Sequence, residues 1–148
     1  MLLALLALVG VFVSLYLTLY KLGVIGTLVC SVGSCEKVQT SRWAIFLGLP
    51  VAAWGLAFYL GALGLALAGL AERFEDSRGV MVALVALTGW GVVFSTWLTY
   101  LELFVIGAVC QWCVVSAFII AAMFVLSVWD LRGGRVGAPE LEPNLGPD

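Results

Sequence analysis

Residues 109 to 116 read V-C-Q-W-C-V-V-S, a C-x-x-C pair at Cys110 and Cys113 that opens a long apolar segment. Upstream stands a second pair, C-S-V-G-S-C from Cys30 to Cys35, and the chain has no other cysteine. Both pairs follow apolar segments that end in the same V-I-G phrase. Laid over each other, Gly10, Val11, Ser14, Leu17, Thr18, Leu22, Val24, Ile25 and Gly26 match Gly91, Val92, Ser95, Leu98, Thr99, Leu103, Val105, Ile106 and Gly107 without a gap. Segments rich in leucine, valine and glycine resemble one another cheaply, so chance similarity is one reading. The other is a duplicated unit, a helix followed by a thiol pair.

Outward from these pairs, the composition sets the surroundings. The 148 residues are 64% hydrophobic and 11% charged, more apolar than the surface of a soluble domain of this size can carry, so the chain belongs in a lipid bilayer. The formal charge is -2 and the few basic residues are scattered, leaving neither a surface that tracks phosphates nor a polybasic lipid patch. That argues against a nucleic-acid partner. There is no histidine, which removes the commonest general base, haem ligand and metal ligand together. Chemistry is left to cysteine. An even cysteine count in paired spacings points to thiol–disulfide exchange on an oxidising side of the membrane. A zinc cage of four thiolates is the rival, since C-x-x-C is also half of a zinc site. No set of polar groups placed to orient four such ligands is evident in the sequence.

Hydrophobic runs predict four spanning helices: Met1 to Tyr20, Pro50 to about Leu70, Val80 to Leu101, and Cys110 to about Trp129. The first lacks the basic start and the small-residue cleavage site of a signal peptide. The expected fold is an all-α integral membrane protein. A four-helix transmembrane bundle fills residues 1–130, an external loop at 21–49 carries a short interfacial helix capped by Ser34, and 131–148 form a disordered tail. Ala71 to Gly79 reads as a short charged turn. Gly10, Ser14 and Thr18, their counterparts Gly91, Ser95 and Thr99, and the set Ala53, Ala57 and Gly61 form small-residue stripes for close helix packing. Trp43, Trp112 and Trp129 fall where interfacial belts lie, whereas Trp54, Trp90 and Trp97 read as packing. Glu102 ends the third span. A lone carboxylate there suits a proton relay, but it occupies the place of Lys21 in the repeat, and a solvated helix end is the expected reading.

Four spans put both termini on one side and both thiol pairs on the other. Arg73, Arg78, Arg132 and Arg135 on one side against Lys21, Lys37 and Arg42 on the other is too small a bias to orient the chain, so redox logic places the cysteines outward. In the first turn of a helix, residues three apart lie roughly 5–6 Å from each other, a separation a disulfide accepts. Cys110 and Cys113 can therefore open and close in place, and the helix N-terminus favours a thiolate at Cys110. Cys30 and Cys35, in a flexible loop, form a mobile pair able to visit two partners. Two adjacent pairs make a relay that moves two electrons through mixed disulfides, one end facing a protein and the other a terminal acceptor. With no haem or flavin site in view, a lipid-soluble quinone is the natural acceptor.

From about Leu15 to Ser127 these residues resemble the vitamin K epoxide reductase family, in its bacterial, disulfide-forming branch. The likeness rests on the loop pair, then C-E-K-V-Q-T-S-R-W-A from Cys35, G-L-P-V-A-A-W-G from Gly48, and C-Q-W-C at the fourth span. The resemblance implies a quinone-dependent thiol–disulfide oxidoreductase of the bacterial cytoplasmic (inner) membrane, with its cysteines on the extracytoplasmic side. It implies that Cys30 pairs with Cys35 and accepts electrons from a protein, that Cys35 exchanges with Cys110, that Cys113 abuts the quinone, of the ubiquinone or menaquinone class, and that Ser41 lies near the quinone head. From the residues alone, Ser41 reads as a helix-end cap. Val51 and Ala117 stand where the animal enzymes carry asparagine and tyrosine, so the likeness extends to disulfide formation rather than epoxide reduction. The chain is expected to lack the thioredoxin-like domain fused to some bacterial relatives, and the expected electron donor is a separate, DsbA-like thioredoxin-fold protein. DsbB-type enzymes run the same chemistry with the pairs in the reverse order. A transporter needs ionisable residues within its spans. An inert bundle stapled by two disulfides is the remaining alternative.

Overall fold

A computed structural model describes residues 1–31, 33–70 and 78–133. The chain runs through α1 (Leu2–Lys21), α2 (Cys35–Thr40), a 3-10 turn (Arg42–Ala44), a hairpin of β1 (Ile45–Phe46) and β2 (Leu49–Pro50), α3 (Val51–Ala68), α4 (Arg78–Tyr100), a π-helical turn (Leu101–Ile106) and α5 (Gln111–Leu131). The fold is all-α apart from the hairpin. Its four long helices, α4 taken together with the π turn, are long and apolar enough to cross a membrane. In lipid no water satisfies backbone N–H and C=O groups, so helices are the form such runs must take. Residues 71–77 of the expected charged turn, and the expected tail beyond residue 133, lie outside the described residues. Leu131 still belongs to α5.

α1 packs on α3 and α5, and α4 on α5 and α3. Ala7, Tyr59, Ala62, Ile119, Ile120 and Met123 form the buried centre. Helices in lipid gain little from the hydrophobic effect and associate through close packing, which small residues permit. Gly10 on α1 lies against the ring of Tyr59, where any Cβ would collide with it, and Gly91 on α4 meets Phe58 and Ile120 in the same way. The two glycines paired in the sequence repeat thus receive successive aromatic residues of α3. Ser14 and Thr18 are buried beside Gly10 and donate their hydroxyls back to the carbonyls of Gly10 and Ser14, both at 2.7 Å, so neither polar group faces lipid unpaired. The second stripe is weaker: Gly91 is buried, but Ser95 only half so, and Thr99 is exposed.

On α3 the expected stripe is displaced. Tyr59, Ala62 and Ala66 are buried, whereas Ala57 and Gly61 are exposed. A helix so rich in alanine and glycine offers small-residue spacing on several faces. The face turned inward is the one that seats Tyr59 against Gly10. Trp90, expected to pack, is 69% exposed and borders the cavity described below.

The hairpin turns through Leu47 (φ 52°) and Gly48 (φ 82°), a two-residue loop that needs positive φ at both positions. Trp54 Nε1 donates to the Phe46 carbonyl at 3.1 Å, and the Phe46 ring meets Phe94 and Trp97 edge-on. The hairpin is thereby fastened to α3 and α4 at the mouth of the site.

Candidate functional site

Cys30 and Cys35 are joined by a disulfide, with Cα atoms 6.4 Å apart. Their loop is held rather than loose. Val29 N–H donates to the Tyr16 hydroxyl at 3.0 Å, and Trp112 Nε1 to the Val29 carbonyl at 3.0 Å. Ser31 N–H donates to Gln111 Oε1 at 3.2 Å, and Ser34 N–H to the Val109 carbonyl at 3.0 Å. Gly33 pairs with Cys110 in an antiparallel bridge. Its φ of 90° and its contact with the Val109 carbonyl, which a Cβ would strike, explain a glycine at this point. Ser34 makes no side-chain cap on α2, because the segment is aligned by this backbone pairing instead. The expected flexible loop is a strap laid across the start of α5.

Cys110 and Cys113 are free thiols. Cys110 is the N-cap of α5, in extended conformation, rather than a residue of its first turn. It is 0% exposed and Cys35 is 1% exposed, and the two belong to one buried cluster with Val38 and Ala108. Cys30 and Cys113 pack at its edge. Cys35 and Cys110 are thus the buried members of the two pairs. The neighbouring Cys113 thiol, able to donate its one proton toward the Cys110 sulfur, is the main reason that the Cys110 thiol is held below its ordinary range. Backbone N–H groups of Cys113 and Trp112 act in the same direction, while burial and the charge of Glu102 oppose.

Glu102 is not the solvated helix end expected from its place in the repeat. The π-helical turn winds it inward, to 5% exposure, where its carboxylate accepts a hydrogen bond from Cys110 N–H at 3.2 Å and another from the Cys113 thiol. The turn ends at Gly107 in left-handed conformation, φ 62°, which swings the chain into Ala108 and Cys110. Lys21, its counterpart in the repeat, stands at the C-terminal end of α1 and donates to the Gln39 carbonyl at 2.6 Å.

Beneath the pairs lies a cavity of about 650 Å³, walled by α1, α3, α4, α5 and the hairpin. Its lining is mostly aliphatic and aromatic, with Trp54, Phe58, Phe94 and Trp97 among the rings. The polar groups that reach it include Cys113, Ser41, Glu102, Tyr59 and Ser116. Ser41 donates to the Val38 carbonyl at 2.7 Å, so it caps α2 and borders the cavity at once. The Tyr59 hydroxyl meets Ser116 Oγ at 2.8 Å and the Ser116 carbonyl at 3.1 Å. Of the residues singled out in the sequence, Cys30, Cys35 and Cys110 are assembled above the cavity, and Cys113 and Ser41 line it. Val51 lines it too.

Glu102, Tyr59 and Ser116 were not singled out as site residues. Ser116 carried a usable signal, one helical turn beyond Cys113 and therefore on its face. Glu102 carried a weaker one, a carboxylate in an apolar stretch shortly before a reactive pair. Tyr59 carried none, since nothing within an apolar span distinguishes it from its neighbours. Compared with known families, residues 1–128 match the model of the vitamin K epoxide reductase family, a stretch that takes in both cysteine pairs and runs into the last turn of α5.

Proposed function

The chain belongs to the vitamin K epoxide reductase family and is a membrane thiol oxidoreductase; from that premise we propose that it reoxidises a thioredoxin-fold dithiol protein on the extracytoplasmic face of the bacterial cytoplasmic membrane and passes the electrons to a membrane quinone. One observation carries this reading. A disulfide-bonded pair packs directly on a free pair whose inner member, Cys113, borders an apolar cavity within the helix layer.

Cys30 is the less buried member of the loop pair and receives the partner's thiolate; Cys35 leaves as a thiolate next to Cys110. The partner's second thiol then releases Cys30 and closes the partner's own disulfide. Cys35 attacks Cys110 when Cys110 and Cys113 are bonded, freeing Cys113, and Cys30 attacks Cys35 in turn, freeing Cys110. The products are a loop disulfide and a Cys110/Cys113 dithiol, the arrangement of bonds described above. A low-lying Cys110 thiol makes it a good leaving group in that last exchange.

The residues present suit a quinone of the ubiquinone or menaquinone class. The cavity falls in the size range of small-molecule sites, about 300–1,000 Å³, and combines apolar walls with few polar groups. Its rings and aliphatic side chains would hold the flat head and its tail, and Ser41 and Cys113 would supply polar contacts. A quinone bound there supplies a sink for two electrons and two protons, so that the net change is dithiol plus quinone to disulfide plus quinol. Purified protein given a reduced thioredoxin-fold protein is expected to form quinol in step with the partner's thiol loss, followed by quinol absorbance and thiol titration together. Thiol loss without quinol would mean a different acceptor.

Orientation has its own test. In intact cells treated with a mild reductant, a membrane-impermeant thiol reagent is expected to label Cys30 or Cys35. Labelling that requires permeabilised membranes would turn the loop toward the cytoplasm and remove the oxidase reading.

A further inference from the structure

Glu102 is the one acidic side chain among the described residues that borders the cavity, and the proposed relay does not yet use it. Its surroundings are specific. Both groups that meet its carboxylate are donors, Cys110 N–H and the Cys113 thiol, so its oxygens are placed as acceptors. The Cys113 thiol has a single proton and faces two acceptors, the Cys110 sulfur and Glu102. No lysine or arginine is among the groups acting on the carboxylate. α2, which packs on the π turn, presents Cys35, Val38 and Gln39 inward and keeps Glu36 and Lys37 exposed. The titratable groups that meet Glu102 are thus the two thiols themselves.

Oxidising a dithiol to a disulfide strips two protons from sulfur along with two electrons. In water such protons leave freely, but Cys113 is turned toward an apolar cavity. A carboxylate already hydrogen-bonded to the thiol is the base within reach. We propose that Glu102 is a catalytic residue of the quinone-reducing step: it accepts the Cys113 thiol proton as that sulfur gives up electrons, and delivers it to the oxygen being reduced. Sulfur–hydrogen bonds at Cys110 and Cys113 break, the Cys110–Cys113 bond forms, two electrons leave the sulfurs for the quinone, and both protons end on quinol oxygens. Glu102 carries one of them and returns to its ionised form. This inference rests on the proposed quinone acceptor and on Cys113 as the donor facing it.

Glu102→Gln is the informative change, because the amide oxygen still accepts from Cys110 N–H while the group can no longer take up a proton. In the full-length protein with a soluble quinone analogue, kcat for quinol formation is expected to fall about 100-fold, in the range of a lost acid–base group, with KM for the quinone within twofold of wild type. Glu102→Asp is expected to recover at least about tenfold of that loss, as a shorter carboxylate still transfers protons. The second readout needs no quinone. The infrared difference spectrum between dithiol and disulfide forms of the Cys110/Cys113 pair is expected to contain a carboxyl signal that Glu102→Gln removes and Glu102→Asp shifts. Wild-type kcat in Glu102→Gln, a loss expressed in KM alone, or a carboxyl signal that survives the substitution overturns the assignment. If wild-type protein forms no quinol yet shows the signal and loses it in Glu102→Gln, proton exchange between Cys113 and Glu102 stands and the quinone reading falls.

Discussion

Cys113→Ala is expected to end quinol formation, lowering turnover on the order of 10³-fold or more, while the four-helix fold persists. Cys113 is the only cysteine that borders the cavity. Without it Cys110 has no resolving sulfur, and each bridge it makes with Cys35 can only revert when Cys30 attacks. The substitution removes a single sulfur at the edge of a packed cluster, so thermal unfolding should shift by only a few degrees, consistent with about 1 kcal/mol. Turnover measured beside a melting curve separates lost chemistry from lost structure. Unchanged quinol formation in a folded variant would remove Cys113 from the acceptor side.

The second large effect is covalent. Cys30→Ser/Cys113→Ser leaves Cys35 and Cys110, which share one buried cluster, with no other thiol to resolve them. Under mild oxidation this protein is expected to accumulate a Cys35–Cys110 disulfide, seen as a cross-linked pair by mass spectrometry of unreduced peptides and as a mobility shift on a gel. The strap formed by the Gly33–Cys110 bridge and the Ser34-to-Val109 hydrogen bond keeps α2 and α5 together while the bond forms. Trapping of Cys30 with Cys110 in the reciprocal variant, and nothing here, would exchange the roles of the loop cysteines. Absence of both bridges would leave the pairs apart and favour an inert, disulfide-stapled bundle.

The amino-acid sequence by itself determined the bundle, its four spans and the order of the two thiol pairs. Burying a run of about twenty apolar residues in lipid is an additive, local property, so α1, α3, α4 and α5 are legible within a few residues of their ends. The cysteine chemistry was legible for a similar reason: with histidine absent, few side chains remain that can carry it. Which way side chains face was another matter, since it depends on pairing between segments far apart in the chain. The inward face of α3 was chosen by the fit of Tyr59 against Gly10, not by the spacing of Ala53, Ala57 and Gly61. The loop is a strap because Gly33 and Ser34 find backbone partners at Cys110 and Val109, about eighty residues away, a pairing that composition does not announce. Glu102 shows the same division most clearly. Its place in the repeat predicted solvent, but the π-helical turn and the left-handed Gly107 rotate it beneath Cys110, so only the tertiary structure decided that the carboxylate meets the thiols.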